Sequence, residues 1–246
     1  SKNATSNTLD TGTLTIAAVP VGALSGASFE TGTDTPGFES VATVTFKTAG
    51  RVQTGGKVVL VMPEQATAQH GWRFTDGHPT SSLETSETSN APTIGFTTPS
   101  SGAPGVVGSS IRYTLSSRTL VFAIETNDMA QSTVHVLTIS KVLTPSSVVA
   151  GSNVVATTRD SNDNNVDTTS LMATDTITVG ALSGASFATA TDTPGFATSA
   201  TVTFTTAGRV HPGGKIVLQM PSLGEGVSLQ SGWQFESPAI TFTTPS

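Results

Sequence analysis

The chain says the same thing twice. The nonapeptide VGALSGASF occupies residues 21–29 and returns at 179–187, 158 positions later. TDTPGF at 33–38 recurs at 191–196, and the pattern TAGRV, GGK, VL, MP of residues 48–63 recurs at 206–221. Trp72 then matches Trp233 after a short insertion near 223–227, and IGFTTPS at 94–100 matches ITFTTPS at 240–246 once a block around 76–90 is skipped. Insertions of this kind belong in loops. Two stretches so alike must solve the same folding problem, which restricts the chain to a fold that can be written as repeated modules.

The comparison also sets expected boundaries. Leu9-Asp10-Thr11 aligns with Val166-Asp167-Thr168, so residues 1–11 read as a polar lead-in that ends a preceding repeat. Residues 12–170 read as one complete module and 171–246 as the first half of a second, without a counterpart of 111–157. Two explanations stand: a window on a longer array, or a half-module completed by strands of a neighbouring subunit. The array is favoured as the commoner outcome of repetition, while strand addition to an incomplete sheet is physically sound.

Side-chain periodicity is two almost everywhere. Ala42, Val44 and Phe46 alternate with Thr43, Thr45 and Lys47, and the copy repeats this with Ala200, Val202 and Phe204; such alternation makes a half-buried strand. In the following strand Leu60 and Met62, with Leu218 and Met220, are assigned to the core, Val61 and Gln219 to solvent. A hairpin is expected at 111–124 with Ile111, Tyr113, Leu115, Leu120, Phe122 and Ile124 inward, and further strands at 133–139 and 153–158. No stretch carries helical apolar spacing, and Gly and Pro recur every few residues, so helix is confined to short turns. The expected fold class is all-β: tandem β-sandwich domains, immunoglobulin-like or jelly-roll-like, the second truncated.

Composition narrows the function. Charged residues are 11% of the chain and the net charge of −6 comes from 17 acidic and 11 basic residues scattered singly, which leaves no basic stripe for nucleic acid. With no cysteine, disulfide scaffolds, thiolate metal sites and thiol catalysis are all excluded. The longest apolar runs are strand-sized, short of the ~20 residues of a membrane-spanning helix. SKNATSNTLD at the start has neither a basic n-region nor an apolar h-region, so a secretion signal is expected outside this segment if one exists.

The repeated phrases resemble those of tandem-repeat, immunoglobulin-like or jelly-roll-like β-sandwich surface proteins of microbes and algae. The resemblance rests on Thr-Pro-Gly at 35–37 and 193–195, TVTFTT, the Gly-Gly-Lys strand ending in Met-Pro, LTPSS with Ala-Gly at 143–151, and TTRDSNDNNVD at 157–167. It covers nearly the whole chain with motifs of modest specificity. It implies a module of a long extracellular chain, in some cases the subunit of a glycosylated filament, and it transfers no catalytic residue.

Several polar groups are candidate sites. Asp160, Asn162, Asn164 and Asp167 (with Asp163 between them) alternate hard oxygens as Ca²⁺ ligands do. Measured against a calcium-binding helix-loop-helix loop, however, Asn165 stands where Gly is required and Leu171 where the bidentate acid belongs, and a plain turn accounts for the same composition. Asn3-Ala4-Thr5 is an N-glycosylation acceptor, and Thr80, Ser81, Ser82, Thr85, Ser86, Thr88 and Ser89 form a hydroxyl-rich insertion suited to O-glycans. His70, His78, His135 and His211 share no metal or triad spacing. Trp72 and Trp233 could stack on sugars or serve a core. Glu30, Asp34 and Glu39 are acids of the kind a glycosidase pairs, but the copy has Ala188, Asp192 and Ala197 there. The sequence therefore leads to a non-enzymatic structural component of an extracellular filament, cell wall or surface layer. It self-associates, carries glycans, needs no cofactor and binds no nucleic acid; the runner-up is an adhesin or carbohydrate-binding stalk.

Overall fold

The computed structural model describes residues 17–64, 71–74, 92–114, 116–210, 214–221, 232–235 and 239–243, without the side chains of 169–171. The expected N-glycosylation site at Asn3 and the hydroxyl-rich block at 80–89 lie outside these residues. By internal contacts the chain divides into two compact units, Ser1–Arg209 and Val210–Ser246.

Among the described residues the first unit is nearly all β, with a 3₁₀ turn at Gly108–Ser110. Its strands are β1 (Gly22–Ala23), β2 (Ser25–Thr31), β3 (Glu39–Lys47), β4 (Lys57–Val61), β5 (Ile94–Thr98), β6 (Arg112–Thr114), β7 (Thr119–Ala123), β8 (Val134–Leu143), β9 (Asn153–Arg159), β10 (Asn165–Ala173), β11 (Ser183–Thr189) and β12 (Ala200–Thr205). One sheet has the order β1-β10-β9-β4-β7-β6, a second β2-β3-β8-β5, and β11 and β12 form a separate hairpin. Every pairing is antiparallel except the two-residue match of β1 to β10.

The two larger sheets close on one core, as an all-β sandwich requires. Phe29, Val44, Phe46, Leu137 and Ile139 from the four-stranded sheet share a buried cluster with Val58, Leu60, Leu120, Phe122, Val154 and Met172 from the six-stranded one. Phe96 on β5 meets Phe122 on β7 across the layers, ring centres 6.4 Å apart. Inward residues occur at every second position of β3 and β9, the pattern read from the sequence. β4 departs from it: Val59 is buried along with Val58 and Leu60. That strand lies between β9 and β7.

β10 runs through residue 170, and Met172 and Ile177 sit in the same core. Ile177 also bridges to Val149. The buried core thus takes in Met172 and Ile177, and the Asp/Asn stretch before β10 is a hairpin turn between β9 and β10.

The two copies build the same hairpin. β2 pairs β3 through Ser25↔Lys47, Ser28↔Thr45, Phe29↔Val44 and Thr31↔Ala42, and β11 pairs β12 through Ser183↔Thr205, Ser186↔Thr203, Phe187↔Val202 and Thr189↔Ala200. Even the bulge is shared, with Gly26 at φ 55° and Gly184 at φ 58°, a left-handed conformation that glycine adopts without steric cost.

Their surroundings differ. Phe29 is 1% exposed and Phe187 38%. In the second unit the described residues 214–221 form no strand, and Leu218, expected in the core, is 48% exposed against 0% for its counterpart Leu60. Leu60 is enclosed by β7 and β9, and among the described residues no strand pairs the segment around Leu218.

Candidate functional site

The Asp/Asn stretch, the leading metal candidate, is a self-contained turn. Asp160 accepts the backbone N–H of Asn162 at 2.9 Å and of Asn164 at 2.8 Å, and the Asn164 side-chain amide at 3.0 Å. These bonds hold the carboxyl below its ordinary range, the Asn164 contacts contributing most. The first of them is an Asx-turn bond, the local chemistry that favours Asp at such positions. Asp163 takes a left-handed φ of 66°, and its carboxylate receives Lys57 Nζ at 2.8 Å.

Asp167 belongs to another environment. It is fully buried, accepting Gly50 N–H at 3.0 Å and the Thr158 hydroxyl at 3.1 Å, while its own N–H donates to Thr158 Oγ1 at 3.0 Å. The four residues grouped by the sequence are thus divided between an exposed turn and the interior. Among the described residues no cluster of three or more His, Cys, Asp or Glu is placed to hold a metal ion. What Asp167 does instead is tie the loop after β3 to β9 and β10. A buried N–H left without an acceptor costs about 1–3 kcal/mol, so the carboxylate is a structural fastener.

The remaining candidates also resolve into packing. Trp72 is 2% exposed and meets Phe29 edge-on at 5.7 Å; its carbonyl accepts the Tyr113 hydroxyl at 3.1 Å. Burial pushes the Tyr113 phenol up to about 12. Trp233 is 52% exposed. Arg73 bridges to Leu143 through both backbone groups at 3.1 and 2.8 Å. Burial is the main cause lowering its guanidinium pKa; Tyr113 opposes that and Arg209 adds to it. Glu30 and Glu39 are exposed on β2 and β3. Asp34 accepts the Thr31 hydroxyl. The carboxyl of Asp175 is raised, first by desolvation and then by the charges of Asp34 and Glu30.

His135, on β8, lies between Phe46 at 6.1 Å and Phe96 at 6.0 Å. It is buried with neither ring nitrogen hydrogen-bonded. Desolvation lowers its pKa. The Ala130 carbonyl, which accepts the Thr48 hydroxyl at 2.7 Å, opposes that shift without completing a bond to the ring. Nothing in its spacing relative to the other histidines distinguished it, because its character comes from β3 and β5 on either side.

One open cavity of about 270 Å³ is lined by Gly37, Phe38, Glu39, Leu143 and residues 206–209. It forms where the Thr-Pro-Gly turn of the first copy meets the Ala-Gly-Arg segment of the second. Thr144 Oγ1 donates to Thr35 O and accepts Phe38 N–H at 2.9 Å, and Gly37 N–H donates to Pro145 O at 2.8 Å. Gly37 has φ +65°, and a Cβ there would stand 2.8 Å from Arg209 O, so both conformation and space demand glycine. The repeated Thr-Pro-Gly turn and the Leu-Thr-Pro-Ser segment at 143–146 thereby hold each other in place.

No protein family, curated protein or solved structure matches the chain. No helix among the described residues is long and apolar enough to cross a membrane.

Proposed function

We propose that this protein is a non-enzymatic structural component of an extracellular filament, cell wall or surface layer, built from repeated β-sandwich modules and carrying glycans. The observation behind this reading is the hairpin formed twice, β2–β3 and β11–β12, in matching register. A chain that repeats one module repeats its contact surfaces as well, and a repeated head-to-tail contact that does not close generates a fibre. The polar side chains support the same reading: Asp160, Asp167, Thr144 and Asp128 are engaged in turns and fasteners, the use expected of a load-bearing module. The resemblance to tandem-repeat surface proteins of microbes and algae points the same way. Negative-stain micrographs of the native source, labelled with antibody raised against this chain, test it. Ordered helical polymers or a lattice are expected; monomeric rods with saturable binding on a glycan array would replace the reading with a binding stalk.

A further inference from the structure

The outward face of the six-stranded sheet carries charge of one sign along four of its strands. Leu60 on β4, Tyr113 on β6, Phe122 on β7 and Ala156 on β9 belong to the buried core, so the residues on either side of each face outward. The charged residues of these strands are Lys57, Arg112 and Arg159, and the four contain no Asp or Glu. Valines lie between the cations: Arg112 pairs Val121, Val121 pairs Val59, and Val61 pairs Val155. Lys57 and Arg159 are direct cross-strand partners, an arrangement of like charges that destabilises a sheet. Asp163 binds Lys57 at 2.8 Å. The Nε of Arg159, in contrast, is buried with no hydrogen-bond partner among the described residues, and Arg112 is exposed.

Acids gather at the other end of the same module. Asp34, in the loop after β2, accepts the Thr31 hydroxyl, and its carbonyl accepts Thr178 N–H at 2.8 Å. That bond lays the segment holding Asp175 beside the end of β2, where Glu30 sits. Glu30 and Asp175 are both exposed. The charges of Asp34 and Glu30 add to desolvation in raising the Asp175 carboxyl, as expected of acids crowded together. β10 separates the two groups: Asn165 at its start pairs Arg159, and Asp175 follows its end at Ala173. The strand has nine residues, a length of about 30 Å at about 3.3 Å per residue, so cations and acids cannot meet within one module.

We infer that the outward face around Lys57, Arg112 and Arg159 docks a second copy of this chain, which presents its ridge of Glu30, Asp34 and Asp175. Charge complementarity identifies the occupant, since every copy that carries the basic face also carries an exposed acidic ridge. The ridge supplies the counter-charge that the four strands lack, and complementary potentials steer the encounter and fix its register. The valines between the cations supply the apolar part of the contact. Two different surfaces of one chain meet, so the contact is head-to-tail and propagates wherever its rotation does not close a ring. The inference deepens the reading of a self-associating structural protein and rests on it; it assigns which faces meet and leaves the mechanical role to the micrographs.

Sedimentation velocity of the full 246-residue chain tests this. Association that grows with concentration is expected at about 0.01 M ionic strength, where charges act over about 30 Å, and its loss at about 1 M, where they act over about 3 Å. Two variants divide the contact. Arg112→Glu with Arg159→Gln removes the basic face, and Glu30→Lys with Asp175→Lys reverses the ridge; circular dichroism checks that both fold, and Arg112→Glu alone replaces the first pair if that pair does not. Each variant by itself should associate at least about tenfold more weakly than the parent. Mixed in equal amounts, they should form heterodimers that grow no further, because the mixture holds one intact face of each kind. A parent that stays monomeric, association indifferent to the variants, or no heterodimer on mixing overturns the inference. So does saturable binding of polygalacturonate by a parent that does not self-associate, which would give the basic face to an acidic glycan. Ordered polymers in the micrographs beside a monomeric parent would remove this contact and leave the filament reading standing.

Discussion

His135 shows how an ordinary residue acquires a property from its neighbours. Enclosed by Phe46 and Phe96, the imidazole is held neutral in the folded chain. The unfolded chain takes up a proton near the ordinary histidine value of about 6.5, so below that pH the unfolded state binds more protons and stability falls with pH. The loss begins as pH drops through about 6.5 and continues down to the lowered folded value. Replacing His135→Leu removes the titration, so urea unfolding followed between pH 7 and 5 should show a flatter stability profile than the parent. The depressed carboxyls of Asp128 and Asp160 contribute their losses below the ordinary aspartate value of about 3.9, outside that window. Parallel profiles for parent and variant would rule out the imidazole as the cause.

At the scale of elements, β2 and β11 are close to a controlled experiment: SGASFET and SGASFAT in the same hairpin register. Phe29 fills the core against Trp72, whereas Phe187 stays largely open. Truncating a fully buried Phe costs about 3–5 kcal/mol, through lost transfer energy and the cavity left behind. Phe29→Ala should therefore lower unfolding stability by that amount, and Phe187→Ala by well under half of it, both read by denaturant titration. Equal effects would mean that the copy is buried as deeply as the original. Loops follow the same logic. The Asp160 turn closes β9 onto β10, and Asp167 fastens the segment after β3 to both, so an acidic run that resembles a ligand set is divided by the pleat, its turn residues to solvent and Asp167 to the core.

For the whole molecule, stability should be distributed unevenly. β3, β4, β8 and β9 each have neighbours on both edges and carry side chains of the common core. β12 has one neighbour among the described residues and no fully buried side chain. Amides open with free energies that track such local burial and pairing. Hydrogen exchange should therefore place the slowest amides in those four strands, with β11 and β12 exchanging markedly faster despite their near-identity to β2 and β3. Similar rates in both hairpins would show that sequence alone sets local stability here.

The alternation of Ala42, Val44 and Phe46, and of Ile111, Tyr113, Leu120 and Phe122, was enough to assign an all-β fold and most of one core, because a strand's two faces are encoded by local period. The repeat likewise announced that the β2–β3 hairpin would appear twice. Tertiary structure decided what depends on partners distant in the chain. It buried Val59 on the face opposite Val58 and Leu60, brought Ile177 into the core, and separated Asp167 from Asp160. It also left Leu218 and Phe187 open where the matching residues of the first copy, Leu60 and Phe29, are buried. Local sequence specifies which face of a strand is apolar; only the strands that arrive from elsewhere determine whether that face is covered.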